Sequence, residues 1–348
     1  INPMTDEIPE KRNKHPYFMY DMIKDIPNGL NETVREMEKF DYDIIKSPLV
    51  FTGNGTAYHS EYIGSQFLNK LDVNYRVIQA YELLNYSGLS KGTVIGISHS
   101  GKTKSTMDAL NYMKKYAFTV GITHYENTTI GNITDKTVII KTPDLSLCNT
   151  KAFFDNAIAS MYIAQNYAGI DVGIKEIIKK IINLVSVMEK PVMDIAGQLN
   201  DINTIFVLGS GPNYPVAREA AQKIKEATHI HAEGIELEEF NHGCTSIIDD
   251  KSLLILIGDG YNNERMNQIV RACRVTGTKT LTLNGSGDFN INIDGFNDIY
   301  LNPVLNIVPL YYLAYFMAVQ RHINPDLLRF DEKKYLEFDN IIFPPGAH

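Results

Sequence analysis

Cysteine is scarce in this sequence: three occur, at Cys148, Cys244 and Cys273, far apart and with no C-x-x-C pair among them. No disulfide framework can be drawn from that spacing, neither a zinc nor a redox centre has support, and reduced thiols suit a cytoplasmic protein. A run of about eighteen apolar residues is also missing, so no membrane span is expected. The N-terminal residues lack a basic stretch followed by an apolar one, so no signal peptide is read. Basic residues are outnumbered, 33 Lys and Arg facing 41 Asp and Glu for a formal net charge of −8. That balance argues against a nucleic-acid or anionic-membrane partner, both of which need a field of positive charge. A small anionic ligand stays compatible with it, because a few backbone N–H groups at a helix start suffice to hold a phosphate. His229 and His231 lie two apart, as on one strand face, but with no third ligand near them in sequence; no metal and no cofactor is expected.

What is present is an alternation. Residues 1–46 are polar with helical spacing and read as a lead-in. Short apolar segments follow, at Leu49–Phe51, Tyr75–Ile78, Val94–Ile97, Phe118–Val120 and Val138–Ile140, each succeeded by a turn and a helical stretch. Near-continuous apolar strands alternating with helices imply a parallel sheet covered on both faces. From 171 to 200 the period lengthens, with Ile174, Ile177, Ile178, Ile181, Ile182 and Val185 on one helical face. A second strand set then starts: Ile205–Leu208, Leu253–Ile257, Thr280–Leu283 and Ile299–Leu301. A strand ends in Gly53-Asn54-Gly55-Thr56 in one set and in Gly209-Ser210-Gly211-Pro212 in the other, while Val94–Ser100 matches Leu254–Gly260. The two sets read as copies of one doubly wound, flavodoxin-like αβα unit. The expected layout is a lead-in over 1–46, a first domain over 47–170, linker helices over 171–200, a second domain over 201–320 and a tail over 321–348.

In open parallel sheets, ligands bind beyond the carboxyl ends of the strands. The informative end here is Ser98-His99-Ser100-Gly101-Lys102-Thr103, between a buried strand and a helix carrying Met107 and Leu110. Three hydroxyls and a glycine at a helix start suit an anion; the alternative is that Ser and Thr simply cap the helix. The matching turn of the second set, Gly258-Asp259-Gly260-Tyr261, has a carboxylate in place of the hydroxyls. One phosphate site, in the first half, is therefore expected.

These residues resemble the phosphosugar-binding loop of sugar isomerase (SIS) domains. The tandem arrangement is similar to the isomerase half of glucosamine-6-phosphate synthases and to archaeal glucosamine-6-phosphate deaminases. Gly55-Thr56, Asn149-Thr150-Lys151-Ala152-Phe153, Pro215–Glu219, Lys223–Glu226, His229–Glu233 and Asn241-His242-Gly243 extend the match over nearly the whole chain. The resemblance implies a phosphosugar held by Thr56, Ser98, His99, Ser100, Thr103, Leu147, Asn149 and Lys151. It implies Glu226 as the C1–C2 proton shuttle, with Glu219 and Lys223 as a supporting network on one helix face. It gives His242 ring opening in the site of a neighbouring subunit, hence a homodimer, and Lys333, with Lys334 beside it, the place of a Schiff-base lysine. The chain departs from the pattern at several points: His99 and Lys102 replace a usual Gln and Glu, Ala57 and Asn149 stand where hydroxyls are usual, and no Pro precedes Arg329.

A carboxylate partly shielded from water suits proton transfer, and an imidazole suits acid–base opening of a pyranose ring. Without the resemblance, Glu219, Lys223 and Glu226 read as an ordinary charged helix face, His242 as a solvated loop residue and Lys333 as part of an exposed tail. No glutaminase segment is read ahead of the sugar half, which points away from synthesis. The expected activity is that of a cytoplasmic enzyme converting glucosamine 6-phosphate to fructose 6-phosphate and ammonia. The alternatives are another hexose-phosphate aldose–ketose isomerase, a fructosamine-phosphate deglycase, or a non-catalytic sugar-phosphate sensor.

Overall fold

A computed structural model describes residues 11–88 and 91–344. The described residues form two five-stranded sheets in two compact units. Strands β1 (Leu49–Gly53), β2 (Tyr75–Gln79), β3 (Thr93–Ile97), β4 (Phe118–Thr123) and β5 (Lys136–Ile139) make the first, in the order β2-β1-β3-β4-β5. Strands β6 (Thr204–Leu208), β7 (His231–Ile235), β8 (Ser252–Ile257), β9 (Lys279–Leu283) and β10 (Phe289–Ile291) make the second, in the order β10-β9-β8-β6-β7. All pairings are parallel, and the two orders are the same when each sheet is counted from its own first strand. In each, the winding reverses beside the first strand, between β1 and β3 and between β6 and β8, where crevices open at the carboxyl edge.

The central strands β1, β3 and β8 are buried at every position, as Val, Ile and Leu runs covered on both faces require. In the first sheet Val50 and Val94 are register partners and pack under Leu83, Met107, Leu110 and Ile130. The opposite face carries the helix Thr56–Ser65, with Ile26–Met37 and Lys151–Ala168 packed around it. In the second sheet Phe206 and Leu208 pair with Leu254 and Leu256 under Phe240, Met266 and Ile269. Its other face holds Tyr214–Thr228, Pro303–Gln320 and Glu189–Ala196. Pro303–Gln320 is long and apolar enough to cross a bilayer by length and composition, although Asn306 and Pro309 interrupt its apolar run. In the fold 89% of that span is buried as the core helix of its unit.

The units do not follow chain order. Residues 12–23 and 176–326 form one, and residues 24–175 with the C-terminal segment from 327 form the other. The reason lies in hydrogen bonds: Asp326 accepts from the Phe18 and Met19 N–H groups (2.9 and 2.8 Å), Tyr20 donates to Glu189 (2.8 Å), and His15 meets the Tyr315 hydroxyl (2.7 Å). The lead-in is thus divided between the units.

Two strand readings need correction. Ile299–Leu301 is a 3-10 turn rather than a strand, its start held by the Asp298 carboxylate accepting from Tyr300 N (3.1 Å). The strands that complete the second sheet are β7 and β10, both at edges, where Glu233, Gly234 and Asn290 break the apolar pattern. An edge strand needs no apolar residue on every side, so composition hides it. His229 is a left-handed helix cap and His231 opens β7, so the two do not share a strand face.

Candidate functional site

In the first unit, the loop after β3 turns through Gly101 at φ +67, a conformation that favours glycine, and a Cβ there would lie 2.3 Å from Thr128 Oγ1. The loop is closed by its own hydroxyls: Ser98 and Thr103 share a hydrogen bond (3.0 Å), and Ser100 Oγ accepts from Lys102 N (3.3 Å). No side chain caps the helix Lys104–Met113 that follows. Of the two readings of these hydroxyls, capping is therefore not what they do. The first-turn N–H groups of an α-helix have no partner within the helix, so this start keeps donors and the positive dipole end for an anion. Asn54, at the end of the adjacent β1, donates to Ser105 Oγ (2.9 Å) and Thr106 Oγ1 (2.8 Å) and receives Gln79, tying both loops of the crevice together. Thr56, half-buried, opens the neighbouring helix.

A second wall comes from residues 144–151. Asp144, buried, accepts from Ser146, Thr150 and Ala152 N–H groups (3.2, 2.7 and 3.2 Å) and so caps the helix Lys151–Ala168 from seven residues upstream. Asn149 donates to Ser146 O (2.7 Å), and Leu147 is half-buried in the same loop. The His99 ring joins the two walls: its Nε2 accepts from Asp144 N (2.9 Å), so that nitrogen carries no proton. Burial, then the neighbouring His124 and Lys151, holds His99 well below the usual imidazole range. His124, 4.9 Å away ring to ring, is pulled down to about 4 by burial. Lys151 is buried with its ammonium on Asp25 Oδ2 (2.7 Å), a partner the sequence did not suggest.

In the second unit, Glu226 lies in the last turn of Tyr214–Thr228, its side chain 20% exposed. Lys223 Nζ and Gln222 Nε2 donate to its two oxygens (2.6 and 2.8 Å). Lys223 also lies 3.8 Å from the fully buried Glu219, which accepts from the Tyr311 hydroxyl (2.7 Å). The result is a chain of contacts from the core helix through Glu219 and Lys223 to a carboxylate at the surface. Gln222, one turn before Glu226, completes it and was legible as an i,i+4 pair; Tyr311, 92 residues from Glu219, was not. His242 is 70% exposed and meets Glu238 (3.7 Å), not Glu226. Lys333 starts the helix Lys333–Ile342, is 88% exposed and faces Glu337 (3.6 Å). Within that unit the structure brings Glu219, Lys223 and Glu226 together, while His242 meets Glu238 instead; Lys333 belongs to the other unit.

The loop after β8 is built differently from its counterpart after β3. The Asp259 carboxylate accepts from Tyr261 N (2.9 Å) and Asn262 N (3.0 Å), the two positions ahead of the helix whose counterparts, Lys102 N and Thr103 N, donate to the Ser100 and Ser98 hydroxyls, so a charged group stands here where neutral ones stand in the first loop.

Residues 198–320 match the family model of the SIS domain. The chain is 29% identical over 350 residues to the isomerising glutamine–fructose-6-phosphate aminotransferase of Pyrococcus horikoshii, covering 92% of this chain and 58% of that one. It is 30% identical over 305 residues to the same enzyme of Encephalitozoon cuniculi, covering 81% of this chain and 44% of that one. The chain thus spans about half the length of the curated relatives it matches. Among solved structures, the C-terminal domain of the Francisella tularensis glucosamine-fructose-6-phosphate aminotransferase matches with a TM-score of 0.77 at 20% identity, covering 91% of this chain and all of that one. Glucosamine-6-phosphate deaminase of Thermotoga maritima matches with a TM-score of 0.73 at 21% identity, covering 88% and 96%. Residues 198–320 thus carry a SIS domain, and the chain is similar over most of its length to about half of the isomerising aminotransferases.

Proposed function

We propose that this chain is a tandem SIS enzyme that binds a hexosamine 6-phosphate and converts glucosamine 6-phosphate to fructose 6-phosphate and ammonia. The observation that carries the reading is the hydroxyl-lined loop after β3, whose helix start no side chain caps. A phosphate dianion there takes backbone N–H groups and the hydroxyls of Ser98, Ser100 and Thr103. The equal strand order of the two sheets supports duplication, and the self-occupied Asp259 turn supports a single phosphate site.

In the chemistry proposed, ring opening frees the C1 aldehyde. Glu226 removes the C2 proton and the electron pair forms an enol-amine; returning the proton to C1 leaves an imine at C2. Water adds to that carbon and ammonia departs, leaving the ketose. Lys223 and Gln222, each donating to Glu226, orient the carboxylate for both transfers. His242, exposed on its own chain, is the ring opener in a partner subunit of a homodimer, and Lys333 meets the open-chain carbonyl.

Purified protein is given glucosamine 6-phosphate, and ammonia and fructose 6-phosphate are measured beside Glu226→Gln. Equal release of both, reduced about 10²–10⁴-fold in the variant, supports the reading. Unchanged turnover in the variant sinks the role of Glu226. Tight binding without release points to another phosphosugar reaction or to a sensor.

A further inference from the structure

Glu61 lies in the middle of the helix Thr56–Ser65, fully buried, and its carboxyl has no side-chain hydrogen-bond partner, only the Thr52 and Ile97 backbone nearby. Its place is specific. A Cβ on Gly53, the last residue of β1, would sit 3.2 Å from Glu61 Oε2 and 3.2 Å from the carbonyl oxygen of Ile97, the last residue of β3. The carboxyl therefore lies where the winding of the first sheet reverses, against the strand end from which Ser98 begins the anion loop. Burial drives its pKa well above the usual carboxylate range, against the pull of the nearby Thr52 and Ile97 backbone.

No charged partner explains it. β1 and β3 carry no titratable side chain, and Tyr75 and Arg76 of β2 lie in half-buried and exposed positions. Tyr58, His59 and Tyr62 share its helix, Lys70 ends the packed turn Gln66–Lys70, and Lys151, Asp155, Tyr162 and Tyr167 lie on the packed helix Lys151–Ala168, Lys151 being engaged with Asp25. None of these is among the causes that set its state. A buried acid left unpartnered is costly in a folded protein and calls for a reason.

We propose that Glu61 is a positioning residue of the anion loop, an uncharged acid wedged between the ends of β1 and β3, and that phosphate binding requires its proton. An ionised Glu61 at this depth would oppose a phosphate at the adjoining helix start, because charges interact strongly in a low-dielectric interior. A neutral acid supports the strand ends without that repulsion. The inference rests on the reading that the loop after β3 holds a phosphate.

The test is calorimetric binding of inorganic phosphate and of fructose 6-phosphate from pH 8 to pH 10, where neither ligand changes charge appreciably. Wild type, Glu61→Gln and Glu61→Leu are compared, with thermal unfolding to show that each is folded. Wild-type affinity should fall with rising pH, by up to tenfold per pH unit once Glu61 ionises. Glu61→Gln should bind within about threefold of wild type at pH 8 and lack the part of the fall due to Glu61; Glu61→Leu should bind at least tenfold more weakly. An equal fall in wild type and Glu61→Gln, or full binding by Glu61→Leu, overturns the inference. If wild type binds neither ligand, the phosphate reading of the loop fails first, whatever the variants do.

Discussion

Asp155 offers a sharp test of how charge is arranged around the first unit's loops. It is fully buried on the helix Lys151–Ala168, and neither oxygen has a hydrogen-bond partner; the nearby Thr33 hydroxyl donates to Gly29 O instead (2.9 Å). His124 Nδ1 lies 3.9 Å from Asp155 Oδ2. Burial raises the Asp155 pKa well above its usual 3.8, with Lys151 pulling it down less strongly than burial pushes it up. The folded protein thus holds a proton on Asp155 at pH values where the unfolded chain has released it. Stability that is fully present below the unfolded pKa is then lost as pH rises towards the folded one, by about 1.4 kcal/mol per pH unit. Asp155→Asn has the same shape and no proton to lose. Relative to the variant, wild type should therefore lose stability between pH 6 and pH 7.5, at up to about 1.4 kcal/mol per pH unit while Asp155 keeps its proton. Guanidinium unfolding of both proteins across that range measures it. His124, neutral over the whole window, cancels between them. A difference in unfolding free energy that stays constant from pH 5 upward would mean that Asp155 is ionised and paired with Lys151, and the reasoning would be refuted.

Two other substitutions probe the site directly. Gly101→Ala puts a side chain on a φ of +67 and within 2.3 Å of Thr128 Oγ1; it should cost about 1 kcal/mol or more in unfolding free energy and weaken phosphate binding, and unchanged binding would detach the loop from the ligand. Tyr311→Phe removes the donor to the buried Glu219 (2.7 Å). It should lower stability by about 1–3 kcal/mol and, if the contact chain orients Glu226, lower kcat more than it raises KM; an unaltered kcat would confine Tyr311 to the core.

The alternation of apolar strands with helices made the fold class readable, because β1, β3 and β8 are buried on both faces and their sequences say so. The edges were not readable: β7 and β10 contain glutamate, glycine and asparagine, and Ile299–Leu301 looked more strand-like than either. The loop after β3 was found from its residue types alone, since hydroxyls and glycine between a strand and a helix are a local pattern. Its supports are not local. Asp144 caps a helix seven residues on, His99 reaches Asp144 across 45 residues, and Tyr311 reaches Glu219 across 92. Glu61 was invisible for another reason. In sequence it is an acidic residue among polar neighbours, and its burial follows from Gly53 leaving room beneath it.

On the proposed reading, one scaffold supports an anion loop in one copy and not in the other. After β3 the neutral Ser98 and Ser100 hydroxyls accept from the Thr103 and Lys102 N–H groups ahead of the helix, and the acid Glu61 sits below the sheet end in a setting that keeps it neutral. After β8 the equivalent turn places the Asp259 carboxylate on the N–H groups of Tyr261 and Asn262, where a phosphate would otherwise compete for them. Strand order is the same in both units, so the difference resides in a few side chains at one strand end. The second unit's distinctive feature lies elsewhere, in the buried Glu219 and Lys223 that hold Glu226 at the far end of its helix. Removing the Asp259 carboxylate should not by itself create a second phosphate site, because the three hydroxyls of Ser98, Ser100 and Thr103 have no counterpart in Gly258-Asp259-Gly260-Tyr261. Calorimetry on Asp259→Ser should accordingly return the wild-type stoichiometry for inorganic phosphate, and a doubled stoichiometry would show that the helix start alone is enough.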